Sequence, residues 1–198
     1  MKSSRTVHDN RQRVVDVATK IISHKGFSAV GLNEILTAAG VPKGSFYHYF
    51  TSKEEFGTRM LEDYFARYLQ TMEHLLNAGE NAAHAMMNYW QSWRDMGSDN
   101  VPNGYQCLAV KLGAEVSDLS EPMRQVLEQG TAQIIRRLAA QLELMSAENS
   151  FHPPVEGYLA FAGNLYQLWL GASLMGKITL SLSPLDSALC LTKRLLQL

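Results

Sequence analysis

Gly40-Val41-Pro42-Lys43-Gly44-Ser45-Phe46-Tyr47-His48-Tyr49-Phe50, followed at once by Ser52-Lys53-Glu54-Glu55, is the stretch on which the fold turns. Before it, Leu32, Ile35 and Leu36 recur at three- and four-residue spacing and Ala38-Ala39-Gly40 closes the run, which reads as a short amphipathic helix with a glycine stop. Val41 supplies an apolar contact in the turn, and Pro42, with its preset φ and no backbone donor, is suited to open the next helix. That helix is expected from about Lys43 to Phe50. Phe46 and Phe50, four residues apart, share one face and are expected to pack on the preceding helix, leaving Lys43, Gly44, Ser45, Tyr47, His48 and Tyr49 outside. Tyr47, His48 and Tyr49 are consecutive and cannot all enter one core, so a purely structural aromatic helix is the weaker reading. Two helices joined by a glycine turn, the second crowded with hydrogen-bonding side chains, are how a small domain offers groups to a DNA groove.

These residues, in this order over about residues 9 to 60, resemble the DNA-binding part of the TetR family of bacterial transcriptional repressors. The resemblance implies that Asn33, Lys43, Gly44, Ser45 and His48 face base edges and that Tyr47, Tyr49 and Lys53 hold phosphates. The chemistry agrees: hydroxyls and an ammonium give position and salt-dependent affinity, and glycine lets the backbone approach the groove. Gly31 stands where the family often has a Thr or Ser cap, and glycine is itself an acceptable cap.

Charge is distributed in the same sense. Residues 1–53 carry eight Lys or Arg against three acids, a net of +5, so the chain total of −1 leaves −6 on the rest. A basic end joined to an acidic end suits a DNA-binding domain attached to a separate effector domain, here divided as 1–53 and 54–198. The 198 residues, 46% hydrophobic, allow one sizeable core and a smaller satellite. No run approaches the roughly 20 apolar residues that span a bilayer, and the polar start Met1-Lys2-Ser3-Ser4-Arg5 lacks an apolar signal core, so no membrane partner and a cytoplasmic location are expected. The two cysteines, Cys107 and Cys190, offer neither a disulfide framework nor a zinc site, and neither a cofactor nor a metal is expected. No nucleotide-binding glycine loop, metal-spaced histidine pair or catalytic triad is visible, which argues against an enzyme.

The remainder reads as helical, giving an all-α chain of about nine helices. Ser52 is expected to cap a fourth helix running to about Asn77, roughly 37 Å long and able to act as a strut between domains. Helices follow over about Asn81 to Met96, from Gln106 or Cys107, and from a Ser120 cap to about Met145, with residues 97–104 a loop. The last two cover about Val155 to Leu180 and Pro184 to Leu196. Small residues on the first of these (Gly157, Ala160, Gly171, Gly176) and apolar ones on the second (Leu185, Ala188, Leu189, Leu196) suit close helix packing. In the family the last two helices build a four-helix homodimer interface, which presents two recognition helices to a palindromic double-stranded operator.

Cys107 follows a Gly, Pro and Asn loop and stands at the start of a helix, where the dipole and backbone N–H groups favour a thiolate, with Lys111 one turn later. Most cysteines are inert packing residues, and Cys190 among Leu189, Leu191 and Leu195 reads as one. The segment Cys107-Leu108-Ala109-Val110-Lys111-Leu112 with Glu115-Val116, extended through Leu168-Trp169-Leu170-Gly171-Ala172 and Lys177, resembles the TetR subgroup that responds to electrophiles such as N-ethylmaleimide and reactive aldehydes. The resemblance makes Cys107 the regulatory cysteine. Lys177, the only charged residue between Glu156 and Asp186, is either a snorkelling lysine or an ammonium near Cys107. Tyr89, Trp90, Trp93, Tyr105, Phe161 and Trp169 are candidates for a pocket that takes a flat apolar small molecule, although core packing accounts for most of them. The function expected is a dimeric repressor released by an electrophile or oxidant at Cys107. The alternatives are the same repressor induced by a reversible apolar ligand, or a helical interaction module without DNA binding.

Overall fold

The computed structural model describes residues 2–96, 107–152 and 154–198. Among them are nine helices and no strand: α1 (Lys2–Lys25), α2 (Leu32–Ala39), α3 (Lys43–Tyr49), α4 (Lys53–Asn77), α5 (Ala82–Met96), α6 (Leu108–Leu119), α7 (Glu121–Ala147), α8 (Tyr158–Thr179) and α9 (Ser183–Leu195). Tyr105 and the stretch 97–104 expected as a loop lie outside the described residues. No helix among the described residues is long and apolar enough to cross a membrane, and no group of His, Cys, Asp or Glu among them is placed to hold a metal ion.

The chain divides into two compact units. The first contains α1 to α3, α4 as far as Ala66, α6, and α7 as far as Gly130. The second contains α4 from Arg67, α5, α7 from Thr131, α8 and α9. The first unit contains the whole of residues 1–53, the DNA-binding segment expected from charge and motif, together with the parts of α4, α6 and α7 named above. The core of this unit is shared: Phe56, Met60 and Leu61 of α4 and Leu108, Leu112 and Val116 of α6 are buried in it beside the apolar faces of α1 to α3.

Local chemistry sets the helix ends. Gly40 closes α2 in the left-handed conformation at φ 63°, its N–H and that of Val41 returning to the carbonyls of Thr37 and Leu36. Pro42 occupies the cap position of α3, one residue earlier than a first-turn proline. Ser52 Oγ accepts from the Glu55 amide at 3.0 Å, and Glu55 in turn accepts from the Thr51 amide and hydroxyl, so two otherwise open N–H groups are satisfied. Ser120 caps α7 by accepting from Met123 N and also donates to Glu54 Oε1 at 2.6 Å, tying the starts of α7 and α4 together. Asn81 Oδ1 accepts from His84 N at the start of α5.

Candidate functional site

Helix α3 divides as its sequence predicts. Phe46 and Phe50 are fully buried and form an aromatic triangle with Phe56, with centroid separations of 5.1, 5.7 and 5.0 Å, which fixes α3 on the start of α4. Lys43, Gly44, Tyr47 and His48 are exposed on the other side, Tyr47 at 61%, with Ser45 and Tyr49 half-buried beside them. Asn33 is exposed at the start of α2, next to the half-buried Glu34, whose charge is matched by Lys25 at 2.6 Å. Gly31 caps α2 with no side-chain bond, so the placement of α2 depends on the α1–α2 turn that leads into it.

Lys53 is engaged inside the fold. Its half-buried Nζ donates to Phe27 O (3.0 Å) and Val30 O (2.8 Å) and lies 4.7 Å from the Phe27 ring centroid. Two of its three ammonium hydrogens are thus committed to the α1–α2 turn, a role that the sequence did not suggest.

Cys107 sits at the N-cap of α6, half-buried, with no side-chain capping bond, so it precedes the first helical residue instead of standing within the first turn. The first helical amide, Leu108 N, donates to Tyr64 Oη at 3.3 Å, which occupies one of the donors otherwise open at this end. Leu108, Leu112 and Val116 face the core of the first unit. Cys107, Lys111 and Glu115 follow one another at four-residue spacing along another stripe of the helix. Glu115 accepts from Phe27 N (3.1 Å) and Ser28 N (2.6 Å). Burial pushes its pKa up, but the Ser28 and Phe27 hydrogen bonds and the Lys111 charge outweigh this and hold the carboxyl below its ordinary value. Sequence reasoning missed Glu115, whose partners lie 88 and 87 positions away and leave no local signal.

In the second unit Tyr89, Trp90, Trp93 and Trp169 are brought together and buried. Trp90 stacks on Trp169 (5.0 Å, 18°) and on Trp93 (5.7 Å, 27°), and Tyr89 meets Trp90 edge-on at 4.8 Å. Trp93 Nε1 donates to Ser173 Oγ and Trp169 Nε1 to Thr192 Oγ1, whereas Trp90 Nε1 is buried with no hydrogen-bond partner. Phe161 is half-buried and pairs instead with Phe151 at 5.5 Å. Lys177 is half-buried in the last turn of α8, in the same unit.

One expectation for α9 is corrected. Leu185, Ala188 and Leu196 are buried in the core of the second unit with Thr192, and Leu189 is half-buried. Cys190, read as packing, is exposed, because position 190 lies nearly opposite the arc of 185, 188, 192 and 196, and Leu191 and Leu195 are exposed on the flank of that arc. The exposed apolar residues of α8 are Leu159, Leu174, Met175 and Ile178.

Residues 14–57 match the family model described as bacterial regulatory proteins, tetR family. The chain is 41% identical over 193 residues to the HTH-type transcriptional repressor NemR of Escherichia coli, covering 96% of each. It is 33% identical to the transcriptional regulator AcuR of Cereibacter sphaeroides, covering 89% of this chain and 80% of that protein. Its fold superposes on the crystal structure of the reduced form of E. coli NemR with a TM-score of 0.88 at 41% identity, covering 94% of this chain and 96% of the other. A helix-turn-helix that matches the family model, with likeness to a repressor along nearly the whole chain, shows that the chain belongs to the TetR family of bacterial regulatory proteins and is a transcriptional repressor similar to NemR.

Proposed function

We propose that this repressor occupies a palindromic operator as a homodimer and lets go when an electrophile or oxidant modifies Cys107. The observation that carries the DNA half is the division of α3: its two phenylalanines are consumed by the core, and its cationic, amide-exposing and hydroxyl-bearing residues stand together outside. Lys43, Gly44, Ser45 and His48 with Asn33 are assigned to base edges, and Tyr47 and Tyr49 to phosphates. Lys53 holds the α1–α2 turn and has one ammonium hydrogen left for a phosphate. The dimer is assigned to α8 and α9 through the faces that remain apolar and exposed, Leu174, Met175 and Ile178 on one helix and Leu191 and Leu195 on the other.

The sensor half rests on Cys107, a half-buried thiol at a helix N-terminus with Lys111 one turn away, in a chain similar to a repressor whose crystal structure is described as a reduced form. A thiolate there adds to an activated alkene, forming a C–S bond and leaving the α-carbon to take a proton from water. Release requires a change in the spacing of the two recognition helices, carried in part along α4. A second reading, a reversible apolar ligand in the aromatic cluster, has one observation in its favour, the unpartnered N–H of Trp90.

Operator binding to DNA upstream of the protein's own gene, measured before and after N-ethylmaleimide, separates the two. The cysteine reading expects loss of binding in wild type and retention in Cys107→Ser. Equal responses of wild type and Cys107→Ser would refute the cysteine reading and favour the ligand.

A further inference from the structure

The turn between α1 and α2 is gripped from two sides. Its amides at Phe27 and Ser28 donate to the Glu115 carboxylate of α6 at 3.1 and 2.6 Å. Its carbonyls at Phe27 and Val30 accept from Lys53 Nζ, the first residue of α4. Gly26, which opens the turn at φ +92°, lies so close under the carboxylate that a Cβ there would come within 2.9 Å of Glu115 Oε2. Charged hydrogen bonds of this kind are among the stronger ones a surface can offer, and they fix the direction as well as the distance of the segment they hold.

The grip matters because the turn runs directly into the DNA-reading helices. Val30 and Gly31 join it to α2, and Gly31 provides no side-chain cap of its own. The start of α2 is therefore positioned by the turn, and with it Asn33 and, through Gly40 and Val41, α3. At the other end of the lever, Glu115 lies eight residues along α6 from Cys107, about 12 Å at the helical rise. A rigid helix thus carries the thiol at its start and the grip on the DNA-reading helices near its end.

We propose that Glu115 is the positioning residue that couples Cys107 to the helix-turn-helix: modification at the N-cap displaces α6, and the Glu115 carboxylate drags or releases the α1–α2 turn, so that α2 and α3 leave the geometry that fits the operator. This route lies wholly within the first unit and works beside the longer one along α4. It rests on the cysteine reading above.

The test is the ratio of operator Kd after and before N-ethylmaleimide in wild type, Glu115→Gln and Glu115→Ala, with peptide mapping to establish that Cys107 carries the adduct and Cys107→Ser to subtract any effect at Cys190. A residue that merely stabilised the fold would weaken binding equally in both states and leave the ratio unmoved. The proposal expects about tenfold or more in wild type and less than about threefold in both variants, with Cys107 alkylated at an unchanged rate. Amide hydrogen exchange in unsubstituted protein gives an independent reading: Phe27 and Ser28 should exchange faster once Cys107 is modified. Wild-type release with the same ratio in both variants, or unchanged exchange at Phe27 and Ser28, would overturn the role of Glu115 alone. A wild-type protein that keeps its operator with Cys107 fully alkylated would overturn the cysteine reading and this proposal together.

Discussion

Helices α3 and α5 both carry clustered aromatic residues, and they use them in opposite ways. In α3 the rings at 46 and 50 go into the core while Tyr47 stands 61% exposed and His48 is also outside. In α5 Tyr89, Trp90 and Trp93 fall on one side of the helix and are all buried, stacked on one another and on Trp169. The difference is one of spacing. Residues at i, i+1 and i+4 share a helix face and can be covered together, but three consecutive positions sweep most of a turn and at least one must face water. The exposed Tyr47 ring keeps its hydroxyl in reach of a partner, whereas the rings wedged between indoles are covered.

The contrast can be attacked from either side. Trp169→Ala should cost about 3–5 kcal/mol in denaturant unfolding, since it removes a ring that is fully buried and stacked. A cost under about 1 kcal/mol would mean that the cluster is an open pocket with slack. Tyr47→Ala should leave stability within about 0.5 kcal/mol but weaken operator binding by about 1.5–3 kcal/mol, the range for a hydrogen bond to a charged group. If stability falls and binding holds, α3 is a packing element. Thr192→Val keeps the shape beside Trp169 but strands its indole N–H, for a loss of about 1–3 kcal/mol by thermal or denaturant unfolding.

Smaller effects sharpen the picture. Lys43→Ala should lower the preference for operator over random duplex by about 1–3 kcal/mol, the range for one base-edge contact, in competition anisotropy titrations. An unchanged preference would remove Lys43 from the base contacts. For Glu115 the folded pKa lies below its ordinary value, so its carboxylate contributes stability above the unfolded carboxyl pKa and loses that contribution as pH falls through the lower folded value. The melting-temperature difference between wild type and Glu115→Gln should accordingly be present at neutral pH and shrink to nothing in acid. A difference that persists below the carboxylate range would mean that packing, not charge, holds the turn.

The all-helical architecture was legible because its signals are local: alternating apolar positions three and four apart, Gly40 after α2, Ser52 and Ser120 before α4 and α7. The outward set on α3 was legible for the same reason. What escaped depended on partners distant in sequence. Lys53 holds carbonyls more than twenty residues back, and Glu115 holds amides 88 and 87 positions away, relations that no local pattern displays. Cys190 was read as packing because leucines surround it on α9, and only packing against α8 and α5 decides which side of that helix is core. The membership of α6 in the first unit was hidden for a related reason, since it depends on contacts with α1 and with the turn after it.

The most direct measurement is operator binding across a range of salt concentrations by wild type and by a variant in which Lys43, Tyr47 and His48 are all alanine, with melting temperatures recorded for both. The account predicts tight, steeply salt-dependent and sequence-selective binding by wild type, and a variant that melts as wild type does but no longer prefers operator over random duplex. A variant that folds and still selects the operator as wild type does would contradict the assignment of the outer face of α3 to DNA recognition.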